Sequence, residues 1–234
     1  MAIYTNVSWL KVITTTEKEN NPFKIECVDT DYKGRLARHA TVTVTTAANG
    51  GTPGVSKSIS VTQNGLGAYI TISTPQTSFT ADAQTINVTI HTNCTGVRTA
   101  ITENGSTATA TVGNQSVEGK SGSTTNGTAI VDDPGASGDV TITQTISLPA
   151  NTKGYARTFK IQSYDIASGS TVSSNEITIT QAAGTDTINL SPTTVDFNAA
   201  GKYVVNGTPS GNSYADITVT SNDEWSVAVT EVVS

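Results

Sequence analysis

Charge is scarce in this sequence. Asp, Glu, Lys and Arg make up 14% of 234 residues, aromatics only 6%, and there are one methionine, two histidines and two cysteines. Each shortage closes off something. A hydrophobic content of 35% with so little charge excludes a disordered chain, which combines low hydrophobicity with high net charge. A formal charge of −6 leaves no basic stripe of the kind that nucleic-acid binding needs. No run of about 18 apolar residues occurs, so nothing reads as a membrane-spanning helix. Met1-Ala2-Ile3-Tyr4-Thr5-Asn6 has no basic region leading into an apolar stretch, so no targeting segment is read. His39 and His91 lie in strand-like contexts; they complete no Ser/His/Asp set and make no metal-ligand spacing with Cys27 and Cys94. The two cysteines fall in different repeats, which predicts reduced, half-buried thiols rather than a disulfide. The chain is expected to be non-enzymatic, with no cofactor and with neither nucleic acid nor membrane as a partner.

What the sequence does have is alternation. Ala40-Thr41-Val42-Thr43-Val44-Thr45, Ser58-Ile59-Ser60-Val61-Thr62-Gln63, Ile86-Asn87-Val88-Thr89-Ile90, Val140-Thr141-Ile142-Thr143, Glu176-Ile177-Thr178-Ile179-Thr180 and Asp216-Ile217-Thr218-Val219-Thr220 all repeat with period two. Each predicts a half-buried strand with its apolar residues inward and its threonines in water. Turn clusters such as Ala48-Asn49-Gly50-Gly51 and Asp133-Pro134-Gly135 separate them. No helix longer than a turn is read. Short strands at regular spacing predict an all-β chain of immunoglobulin-like sandwiches.

Repetition gives the organisation. Val61-Thr62-Gln63-Asn64-Gly65 matches Ile179-Thr180-Gln181-Ala182-Ala183-Gly184, and each is preceded by a Gly and an Ala-Arg pair, Gly34 with Ala37-Arg38 and Gly154 with Ala156-Arg157. A second block also occurs twice. It runs from Ile70-Thr71-Ile72-Ser73-Thr74-Pro75 through Phe79 to Thr92-Asn93, and again from Ile188-Asn189-Leu190-Ser191-Pro192 through Phe197 to Ser221-Asn222. The order is late block, early block, late block, early block. Residues 67–184 therefore make one whole module, with a polar insertion near 104–139. Residues 1–66 are the C-terminal half of a module, and 185–234 are the N-terminal half of one.

These motifs resemble the BACON module, an immunoglobulin-like domain common in gut Bacteroidetes proteins and their phages. Ile217-Thr218-Val219-Thr220-Ser221-Asn222-Asp223-Glu224-Trp225 is similar to the family's first tryptophan motif, and Val7-Ser8-Trp9-Leu10-Lys11-Val12 to its second. Ala37-Arg38 with Val61-Thr62-Gln63, and Ala156-Arg157 with Ile179-Thr180-Gln181, resemble its end. The middle module departs from the pattern, because Gly96 stands where the tryptophan would follow Asn93. The family is associated with glycan binding, and the missing tryptophan weakens that implication for the middle module.

Several residues are candidates for more than packing. Trp9 and Trp225 are candidate glycan-stacking residues, although tryptophan in so aromatic-poor a sandwich is more often core. The seven tyrosines are scattered and form no visible platform. Arg38 and Arg157 are expected to cap strand ends or to meet backbone carbonyls, with substrate binding as the lesser reading. Asp132, Asp133 and Asp139 form a weak candidate calcium loop, against the plainer reading of an acidic turn. Asp223-Glu224 reads as turn chemistry. Asn-X-Ser/Thr triplets at Asn6, Asn87 and Asn114 follow from composition.

A half sandwich exposes an apolar face and unpaired strand edges. The residues expected at a module-completing interface, or in the core it creates, are Trp9, Leu10, Trp225, Val227 and Val229. The halves either meet within one chain, or complete each other between chains, or belong to a longer chain. Residues 1–65 carry seven Lys/Arg against five Asp/Glu, and 185–234 carry one Lys against six acids, so opposite charge favours their meeting. With the family resemblance, this leads to an expected virion structural protein of a tailed phage: a capsid decoration, head-fibre or tail-associated protein. Its expected partners are other copies of itself or other virion proteins, and host or mucus glycans. The alternative is a carbohydrate-binding accessory or adhesin module of a secreted bacterial protein, located outside the cell or at its surface.

Overall fold

The computed structural model describes residues 7–14, 22–48 and 50–231. The chain is all-β. Among the described residues the only helix is a single 3-10 turn, Pro134–Ala136.

The N-terminal segment makes two antiparallel pairs. Strand β1 (Leu10–Thr14) pairs with β2 (Phe23–Cys27), and β3 (Arg38–Thr45) with β4 (Ser56–Gln63). Trp9, Leu10 and Val42 are buried between them, flanked by Val7, Val12, Phe23, Ile25, Ala40 and Val61. That is a small core. Ile59 and Val55 stay exposed.

Residues 70–181 fold as a complete immunoglobulin-like sandwich. Its strands are β5 (Ile70–Ser73), β6 (Ser78–Phe79), β7 (Gln84–Thr92), β8 (Val97–Glu103), β9 (Ser106–Thr107), β10 (Thr111–Val117), β11 (Ser123–Thr124), β12 (Val140–Leu148), β13 (Arg157–Asp165) and β14 (Ile177–Gln181). One sheet runs β11-β10-β12-β7-β5 and the other β6-β14-β13-β8-β9. Lettering β5, β7, β8, β10, β12, β13 and β14 as A to G in chain order gives the D-E-B-A and G-F-C sheets of an immunoglobulin constant-type domain. The short β6 joins the second sheet parallel to β14. Alternation puts Val88, Ile90, Ile142 and Ile146 of the first sheet in one core with Phe159, Ile161 and Ile179 of the second, all fully buried.

The expected polar insertion needs correction. Residues 104–139 are not an appendage, because β10 lies inside the first sheet, with Gln115 and Val117 buried, and Ile130 also enters the core. The strand is hard to read because its register slips between Val112 and Gln115. That bulge breaks the period. The carbonyls it leaves unpaired are met by the buried Gln144 side chain, whose Nε2 donates to Gly113 O at 2.7 Å.

In the C-terminal segment β15 (Ile188–Ser191) pairs with β19 (Thr218–Ser221), as A pairs with B in the middle module. Between them β16 (Asp196–Phe197), β17 (Tyr203–Val205) and β18 (Thr208–Pro209) form a small antiparallel sheet. The repeats thus assign D, E, F and G to the N-terminal segment, and A and B to the C-terminal one.

Candidate functional site

The paired arginines are structural in both places where they occur. Register sets Arg157 opposite Gln181 across F and G, and Arg38 opposite Gln63 in the same way. Arg157 Nε donates to Gln181 Oε1 at 2.9 Å, and Arg38 Nε to Gln63 Oε1 at 2.8 Å. The buried Arg157 also donates to Pro149 O and to Thr109 Oγ1 and lies 3.5 Å from Glu103 Oε1. Burial works to raise the Glu103 carboxyl, but Thr109 N and Oγ1 and the Arg157 charge outweigh it and hold it below the ordinary glutamate value. Glu103 belongs to strand C, and among the described residues no strand C lies beside β3. There Arg38 turns to Asp29 instead and lies between the faces of Trp9 and Tyr32. Its hydrogen bond holds the Asp29 carboxyl low.

A second feature is repeated at the two joints between segments. The side chain of Asn93, in the B–C turn of the middle module, donates to Lys33 O and Leu66 O and accepts from Tyr69 N. Asn222 follows β19 at the same point of its own turn. It donates to Thr152 O and Thr185 O and accepts from Thr187 N. In each case one amide clasps the E–F loop and the linker of the preceding module. The glycine ending each late block is tight against the same loop: a Cβ on Gly65 would strike Arg35 O, and one on Gly184 would strike Asn151 O. The first joint carries an addition. Arg35 donates to Asn93 O at 2.5 Å and pairs with Asp133 at 2.7 Å, while its backbone N donates to Gly135 O. Neither asparagine stood out in so Asn-rich a sequence; the signal was their shared place after Thr92 and Ser221.

The proposed interface residues separate. Trp9 and Leu10 are buried in the N-terminal core. With Arg38 stacked over its ring, Trp9 has no open face for a sugar, which corrects its place among the candidate glycan residues. Trp225 is 52% exposed, Val227 76% and Val229 93%. They alternate along residues 225–231, which pair with no strand among the described residues. Trp225 shares an open polar cleft with Lys153, Asn222 and the half-exposed Tyr155, an aromatic neighbour that sequence spacing did not reveal.

The candidate calcium loop is also corrected. Asp133 pairs with Arg35, Asp132 with Lys120 at 3.0 Å, and Asp139 accepts from Val140 N and from the Tyr69 hydroxyl. The three carboxylates serve separate partners, and among the described residues no group of three potential ligands forms. Burial, then the Asp139 bond, pushes the Tyr69 hydroxyl well above its ordinary value. Cys94 is buried and Cys27 exposed, so neither is the half-buried thiol expected. Both histidines are exposed on strands, with His39 bonded to Thr62.

No family model matches this chain, and no curated protein matches it in sequence.

Proposed function

We propose that this chain is a non-enzymatic structural protein that assembles by completing its split terminal module, and that the assembly belongs to the virion of a tailed phage. The observation that carries the assembly reading is where apolar surface is left open. Of the sixteen large hydrophobic side chains exposed among the described residues, only Val131 and Tyr155 lie within 67–184. The others lie in the two terminal segments, whose strand sets are complementary. Burying one such side chain contributes roughly 1.5–3 kcal/mol. Five of them, Ile188, Leu190, Trp225, Val227 and Val229, would contribute on the order of 10 kcal/mol, enough to offset much of the entropy of association. The virion setting is supported by the resemblance to BACON modules of gut phages and is an analogy of fold. Capsid decoration, head fibre and tail are the places where such a protein would act.

A second reading, glycan binding, is favoured by one observation: Trp225 and Tyr155 line the same open polar cleft. An aromatic pair flanked by polar groups suits a sugar face and its hydroxyls.

Light-scattering mass across a concentration series tests the first reading. Growth of mass with concentration is expected, and a monomer at every concentration would sink it. Co-purification with intact particles tests the setting. A glycan array tests the second reading, with binding expected to vanish in Trp225→Ala.

A further inference from the structure

Three seams hold the middle sandwich across the point where the terminal module is divided. B pairs with E, C pairs with F, and β6 pairs with G. In the terminal module, each seam has one member in the N-terminal segment and the other in the C-terminal segment. The C–F seam can be specified residue by residue. In the middle module Val97 and Thr99 of β8 are buried and Glu103 reaches Arg157; these residues face inward. Residues 225–231 repeat that face as Trp225, Val227, Val229 and Glu231, with one residue fewer in the preceding turn. Strand β3, the counterpart of β13, pairs only with β4, so its other edge is open among the described residues.

Resting on the assembly reading above, we infer that residues 225–231 add as an antiparallel strand to the free edge of β3 in a second copy of this chain, with Val229 opposite Val42 and Val227 opposite Val44. The register is that of β8 on β13, where Ile101 lies opposite Ile161 and Thr99 opposite Ser163, carried over through Arg157 and Arg38. Glu231 then lies opposite Ala40, as Glu103 lies opposite Phe159, beside the arginine two residues before it. Backbone pairing supplies the seam, and the alternating side chains close the core.

The occupant is a second copy because the two halves of one chain sit at opposite ends of the middle sandwich. The N-terminal half is clasped at the Thr92–Asn93 end of β7, where Ile70 and Val140 also lie. The C-terminal half is clasped beyond Gln181, at the end where Gln84 and Leu148 lie. The nine residues of β7 separate these ends by about 30 Å. Closure within one chain would have to break a clasp. Charge agrees, since residues 1–65 are net positive and 185–234 strongly negative. Such a contact is head-to-tail and propagates into an open string in which each module grips the next through the same asparagine. Tyr155 stands where Arg35 stands at the other joint, and it is half exposed because no counterpart of the D–E turn that covers Arg35 occurs among the described residues of the C-terminal segment.

The test is a disulfide set by the register. The exposed Thr43 and Ala228 would lie opposite each other, as Gln162 lies opposite Ala100. Thr43→Cys with Ala228→Cys, in a Cys27→Ser background, is oxidised and run without reductant. A ladder rising by one chain per step is expected. No ladder is expected from Thr41→Cys with Ser226→Cys, which is four residues out of register. Light-scattering mass of the unaltered chain is measured alongside. Assemblies without the ladder would overturn the register and leave the assembly reading standing. A cross-linked single chain of raised mobility would overturn the head-to-tail arrangement. Monomer at every concentration would overturn both.

Discussion

Strands β5 and β15 are the same strand in two settings. Each opens an early block and pairs antiparallel with the strand that ends that block. In β5, Ile70 and Ile72 are 4% and 5% exposed; in β15, Ile188 and Leu190 are 57% and 50% exposed. The local sequence encodes an apolar face in both. Among the described residues only β5 has a second sheet to lay it against. A strand's inward face is thus a property of its sequence, while its burial is a property of the module around it.

The sharpest way to break this comparison is to truncate matched positions. Ile72→Ala leaves a cavity in a closed core and is expected to cost about 2–5 kcal/mol in denaturant unfolding. Leu190→Ala at the matching site should change the stability of the dilute chain by less than about 0.5 kcal/mol. It should instead weaken assembly, seen as lower light-scattering mass at a given concentration. Equal losses of stability at the two sites would mean that β15 is already covered.

The two arginines extend the comparison to charge. Arg157→Ala removes a buried guanidinium from the half-buried Glu103 and from Gln181 and is expected to cost about 3 kcal/mol of unfolding stability. Arg38→Ala should cost a small part of that, because Asp29 stays hydrated. Should Arg38 prove the costlier residue, the Trp9 and Tyr32 faces against it would hold more of the N-terminal core than its ion pair does.

Acid separates the same two sites more gently. The Glu103 and Asp29 carboxyls are both held below their ordinary values of 4.5 and 3.8. A depressed acid stabilises the fold fully above its unfolded value, and that contribution is lost as pH falls through the folded value. Stability is therefore expected to be level down to about pH 4.5 and to decline below it. Glu103→Gln should flatten that decline in urea titrations more than Asp29→Asn does. A steeper effect of Asp29→Asn would reverse the assignment.

Much of this was legible in the sequence, and the exceptions have physical causes. Threonine-spaced runs such as Ile86–Ile90 announced their strands because one face meets a core and the other meets water. Strand β10 was hidden by its bulge and by a buried glutamine where a period-two pattern calls for an apolar residue. The expected place of a tryptophan, Gly96, is one residue early: the turn after Asn93 is one residue longer than that after Asn222, so Val97 stands where Trp225 stands, and it is fully buried in the closed core. The clasps were illegible because an asparagine that closes a joint looks like any turn asparagine until the carbonyls it meets are in place.

The smallest expected effect is optical, and it bears on the same contrast. Trp9 is 6% exposed and Trp225 52%, so one indole is already buried and the other is open to water. In dilute solution Trp9→Phe should leave red-shifted emission readily quenched by iodide, and Trp225→Phe blue-shifted emission that resists it. Concentrating the Trp9→Phe chain should move Trp225 toward the behaviour of Trp9, because strand addition at β3 draws its ring against the second sheet. A glycan site would act differently: Trp225 would stay quenchable at every protein concentration and be shielded only by added sugar. The direction in which that one indole responds therefore separates a surface made to hold a ligand from half of a core made to receive its other half.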